Sequence, residues 1–71
     1  MPTLREAGEA LYGIHYVRPL AEALGVSERT MRYWHDGTRE PPPGVWKEIA
    51  SLCRAQGKRL TRLAETLDNI D

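Results

Sequence analysis

Apolar positions recur along this chain with a helical period, and glycine interrupts the pattern at Gly13, Gly25 and Gly37. In the first segment Thr3 and Glu6 have the spacing of a capping box. Leu4, Ala7 and Leu11 follow on one face, so a helix is expected to begin after Thr3 and stop at Gly13. In the second, Val17, Leu20, Ala21 and Leu24 stand at i, i+3, i+4 and i+7. Pro19 lacks an N–H and belongs in a first turn, which puts that helix start between His15 and Arg18. Gly25 supplies a left-handed helix end, Val26 plugs the core from the turn, and Ser27 is a good N-cap for a helix beginning at Glu28.

Projected at 100° per residue, this third helix places Met31 and Trp34 on one side, with Leu20, Leu24 and Val26. Glu28, Arg29, Arg32, Tyr33 and Asp36 occupy the opposite arc, and Gly37 ends the helix. Two short helices joined by a sharp turn, with long cationic and aromatic groups on the exposed arc, make a helix-turn-helix suited to base edges and phosphates.

Residues 38–42 form a polar, proline-rich loop, Pro43 stands where a helix begins, and no proline follows. One helix of roughly 25 residues would be ~38 Å long. Val45, Trp46, Ile49, Leu52 and Cys53 give it a broad apolar face for packing on the preceding helices. Beyond Gln56 the stripe narrows to Leu60, Leu63, Leu67 and Ile70, and the register extends back through Gln56, Cys53 and Ile49. A narrow seam faces another helix, and here the expected partner is the same helix of a second copy. Gly57 costs about 1 kcal/mol relative to Ala and marks the place where the helix would divide. The expected fold is all-α, with four to five helices, a central helix-turn-helix and a long C-terminal helix. Residues 1–56 would form the DNA-binding domain and residues 57–71 a helical extension for dimerisation.

The stretch Val17 to Gly37 resembles the helix-turn-helix of the lambda-repressor-like, or Xre-type, prokaryotic and phage regulators. The matching residues are the small Ala21 where the two helices touch, Gly25 in the turn, and the apolar set Leu20, Leu24, Val26, Met31 and Trp34. With its flanking helices the resemblance runs from Leu4 through Leu52. It implies binding to double-stranded DNA, with the second helix of the motif in the major groove. By position, Ser27, Glu28, Arg29, Arg32 and Tyr33 would read bases and phosphates, and Thr38 and Arg39 would face backbone phosphates.

Charge modifies this picture. Ten Lys and Arg balance ten Asp and Glu, for a formal net charge of zero. Non-specific counterion release therefore contributes little to a monomer, so binding is expected to be salt-dependent and to rely on dimerisation. Glu28 either accepts from a cytosine amino group or pairs with Arg32 at i+4. Tyr33 either contacts DNA or is simply exposed, and His35, at the border of the arc, is expected to be solvated or partly packed, with a phosphate contact as the alternative. Trp34 and Trp46 are expected in the core, and Lys58, Arg59 and Arg62 on a solvated side.

No catalytic function is expected. The residues assemble no paired carboxylates, no nucleophile with a base and no phosphate-cradling glycine loop. His15, His35 and Cys53 lack metal-ligand spacing, so neither metal nor cofactor is expected. A single cysteine excludes an internal disulfide, and Cys53 is expected to be a buried, inert thiol. With no run of ~18 apolar residues and no signal peptide, a cytoplasmic protein without membrane contact is expected. The expected function is that of a homodimeric repressor of a phage, mobile-element or toxin-antitoxin operon. It would bind a two-fold related operator with half-sites ~10 bp or a multiple apart. The second reading is a protein-interaction module on the same scaffold, without DNA contact.

Overall fold

Local signals at the helix ends account for most of the architecture. The computed structural model describes residues 3–70; the extreme ends of the two expected segments, residues 1, 2 and 71, lie outside them. Four helices follow in order, α1 (Leu4–Tyr12), α2 (Val17–Leu24), α3 (Glu28–Asp36) and α4 (Pro43–Asp68). No strand occurs among the described residues. Thr3 begins α1 in an extended conformation, its hydroxyl accepting the Glu6 N–H at 3.0 Å. That satisfies one of the donors a helix start leaves free.

The link between α2 and α3 is three residues long, Gly25 to Ser27. Gly25 has φ 71°, and the Gly25 and Val26 N–H groups return to the carbonyls of Glu22 and Ala21 at 3.2 and 3.0 Å. This pairing is a Schellman motif, and its left-handed residue is the reason for glycine. The Ser27 hydroxyl then accepts the Thr30 N–H at 3.0 Å and starts α3. So short a link leaves α2 and α3 as the most extensively packed pair of helices.

Side chains from all four helices and the α1–α2 turn meet in one core of Leu4, Leu11, Tyr16, Leu20, Ala21, Met31 and Ile49. Ala7, Val17, Leu24, Val26, Trp34, Val45 and Leu52 pack around it. Tyr16 is a core residue that the helical periodicity does not reveal, because it lies in the turn before α2. Its ring is 1% exposed and rests against α1 at Gly8, where any Cβ would overlap the ring carbons. Gly8 is thus the notch that lets the two segments approach.

Pro42 and Pro43 open α4, which crosses Gly57 without a break and spans 26 residues, ~39 Å at 1.5 Å per residue. Its first half packs on the body through Val45, Ile49 and Leu52, and the Gln56 amide donates to the Leu11 carbonyl at 3.2 Å. That bond satisfies an acceptor at the end of α1. Two expectations need correction. Trp46 is 38% exposed and lies outside the core, and Cys53 is exposed rather than buried. The body is built of three short helices and covers only the stripe through Val45, Ile49 and Leu52, so apolar residues beside that stripe stay open to solvent. Past Gln56 the helix leaves the body, giving the molecule a 50 Å long axis against 23 and 21 Å. Leu60, Leu63, Leu67 and Ile70 are between 53 and 65% exposed on this projecting end.

Candidate nucleic-acid interface

α3 is oriented by its buried side. Met31 is fully buried and Trp34 packs at the core edge, which turns Glu28, Arg29 and Arg32 to solvent and leaves Tyr33 half-buried. A second anchor holds the far end of α3. The Tyr16 hydroxyl and His35 Nδ1 lie 2.6 Å apart, with the two rings tilted at 5.6 Å. His35 is exposed yet partnered, and burial pushes the Tyr16 phenol above its usual value of 10.0. This bond joins the α1–α2 turn to α3.

The exposed arc divides into two sets of side chains. In one, the Glu28 carboxylate accepts from Arg32 Nη2 at 3.0 Å and lies 4.0 Å from Arg18 Nε of α2. Glu28 is therefore occupied by Arg32, one of its two expected roles, and sits between two guanidinium groups. In the other, Arg29 Nε donates to the Tyr33 hydroxyl at 3.0 Å, and the Arg39 guanidinium lies 4.8 Å from the Tyr33 ring centroid. The Arg39 N–H donates to the Tyr33 carbonyl at 3.2 Å, so the loop after α3 is tied back onto the helix.

The residues singled out by sequence fall into three situations. Arg29, Arg32, Tyr33 and Arg39 come together with Glu28 on and beside α3. Thr38 is exposed at the head of the loop. Ser27 is engaged by α3 itself, accepting the Thr30 N–H and donating to the Thr30 hydroxyl at 2.9 Å. Sequence reasoning missed Arg18, which joins across from α2, because i to i+4 arithmetic does not reach between helices. Arg18, Arg29, Arg32 and Arg39 thus gather on and beside α3, with Glu28 between two of them and the carboxylates of Asp36 and Glu40 nearby in sequence.

A separate feature, of mixed lining, lies at the other end. A groove of about 570 Å³ runs from α1 onto the projecting part of α4, lined by Leu11, Tyr12, Gln56, Leu60 and Leu63 together with Arg59 and Arg62. It continues the leucine seam onto the body. Among the described residues no cluster of three or more His, Cys, Asp or Glu is placed to hold a metal ion, and no helix is long and apolar enough to cross a membrane. Comparison with protein-family models, with curated proteins and with solved structures finds no match for the chain.

Proposed function

We propose that the protein is a sequence-specific DNA-binding regulator of the helix-turn-helix type, acting as a homodimeric repressor. The observation that carries this reading is the exposed arginine-rich arc of α3, presented by a helix joined to α2 through a three-residue turn. In this reading α2 and α3 are the two helices of the motif, and α3 enters the major groove. Arg29 and Arg32 read base edges or phosphates, and Arg39 and Thr38 meet the backbone. The lambda-repressor-like resemblance supports the same assignment. Leu60, Leu63, Leu67 and Ile70 pair with their counterparts in a second copy, which brings two reading helices to one two-fold operator. Binding as a dimer offsets the weak non-specific attraction of a chain with no net charge. Repression follows from occupancy of a site that polymerase needs. The resemblance supports, as the regulated operon, that of a phage, a mobile element or a toxin-antitoxin pair.

A second reading, a protein-interaction module, draws on the balanced charge and on Glu28 within the arc. The two separate on Arg29→Ala/Arg32→Ala. Both side chains are exposed and lie outside the core, so the fold is expected to survive by circular dichroism while DNA binding is lost. Retention of full DNA affinity, or absence of any in the parent, would favour the interaction module.

A further inference from the structure

Tyr33 occupies a place between two arginines that neither base reading nor simple exposure describes. Arg29 reaches its hydroxyl from one turn earlier on α3, at 3.0 Å. Arg39 arrives from the loop and lays its guanidinium over the ring at 4.8 Å, its backbone fixed by the 3.2 Å bond to the Tyr33 carbonyl. Building on the DNA-binding reading above, we propose that Tyr33 is a positioning residue that holds Arg29 and Arg39 as a preformed pair of donors for DNA.

The chemistry of each contact leaves the useful groups free. The hydroxyl takes only the Nε–H of Arg29, so both terminal nitrogens remain for a bidentate contact with phosphate or guanine. The Arg39 guanidinium carbon stands 4.8 Å from the ring centroid, a cation–π contact that takes none of its N–H groups as hydrogen-bond donors to Tyr33 and so leaves them for DNA. Arginine is rich in rotamers, and ordering it at the moment of binding weakens affinity. Half-buried Tyr33 carries out part of that ordering in advance. Arg32 differs, because its Nη2 is already given to Glu28 at 3.0 Å.

Two substitutions divide the role. Tyr33→Phe keeps the ring beneath Arg39 and removes the acceptor for Arg29, whereas Tyr33→Ala removes both. Binding is measured by fluorescence anisotropy on the DNA site enriched from a random pool, at two salt concentrations. Tyr33→Phe is expected to weaken binding about threefold and Tyr33→Ala about tenfold. In an Arg29→Ala background Tyr33→Phe should have no further effect, while Tyr33→Ala still weakens binding through Arg39. The salt slope should stay unchanged in Tyr33→Phe and become shallower by about 0.9 for each phosphate that Arg39→Ala leaves unneutralised.

Tyr33→Phe with parental affinity, or with the same loss in the Arg29→Ala background, overturns the proposal. In the second case the hydroxyl acts on DNA or on the fold directly. NMR of the free protein tests the positioning without DNA. The Arg29 Nε–H resonance should shift in Tyr33→Phe, and an unmoved resonance contradicts the contact. A parent protein that binds no DNA is a different failure, visible in the control, and it removes the DNA-binding reading together with this one.

Discussion

Replacing Gly8 and Gly57 by alanine makes the same chemical change in the interior of two helices, and the structure assigns the two changes opposite signs. Alanine in place of glycine stabilises a helix interior by about 1 kcal/mol through backbone entropy. At Gly57 a Cβ meets nothing within 4 Å, so the full gain should appear. At Gly8 the new methyl overlaps the ring of Tyr16, which is 1% exposed and hydrogen-bonded to His35. Overpacking of this kind costs about 1–3 kcal/mol. A ring pushed outward also gives up its hydrogen bond, at about 1 kcal/mol. Net of the helix gain, Gly8→Ala should lose about 1–3 kcal/mol and Gly57→Ala should gain about 1 kcal/mol.

Thermal unfolding followed by circular dichroism at one fixed protein concentration reads both. Each kcal/mol is about 4–8 °C in a domain of this size, so the two variants, on the order of two to four kcal/mol apart, should move Tm in opposite directions and differ by about 8 °C or more. A cycle with Tyr16→Leu completes the test. The smaller side chain vacates the ring, so Gly8→Ala should cost much less in that background than in the parent. A Gly8→Ala variant as stable as Gly57→Ala, or an undiminished cost with Leu at position 16, would refute the packing of α1 on Tyr16.

Further outcomes follow from the same contacts. Tyr16→Phe removes the bond to His35 and should destabilise the fold by about 1 kcal/mol in urea titrations at neutral pH. The Tyr16 phenol is raised by burial, so the folded state favours its neutral form. Its contribution is therefore complete below the ordinary value of 10.0 and is lost as pH rises through the folded value. Stability measured from pH 8 upward should fall less steeply above pH 10 in Tyr16→Phe than in the parent; parallel curves would contradict this. Leu63→Glu/Leu67→Glu should sediment as a folded monomer and bind operator at least tenfold more weakly, about 1.4 kcal/mol. Parental affinity in that monomer would remove the dimer from the account.

The α2–α3 link was legible because each of its signals is local. Gly25 ends one helix through the backbone bonds its left-handed conformation allows, and Ser27 starts the next through its hydroxyl, all within three residues. The i to i+4 contacts Glu28–Arg32 and Arg29–Tyr33 were within reach of spacing alone. Tyr16 was not, since periodicity sorts residues inside helices and Tyr16 lies between them. The available signal was Gly8, a glycine on the inward face of α1 between Leu4 and Leu11. Trp46 and Cys53 failed for a different reason. A sequence displays the width of an apolar stripe, but the width of the surface that covers it depends on how three other helices assemble. The Arg18–Glu28 approach and the contact of Arg39 with the Tyr33 ring are likewise tertiary. They depend on helix packing and on the path of a loop, neither of which has a period.

Selection of DNA from a random pool by the parent protein, with Arg29→Ala/Arg32→Ala run in parallel, asks whether α3 reads DNA sequence. A DNA-binding dimer should enrich a two-fold symmetric motif with half-sites ~10 bp or a multiple apart, weakened by salt and absent with the variant. A pool that stays unenriched at low salt, or a motif the variant enriches equally, would contradict that reading.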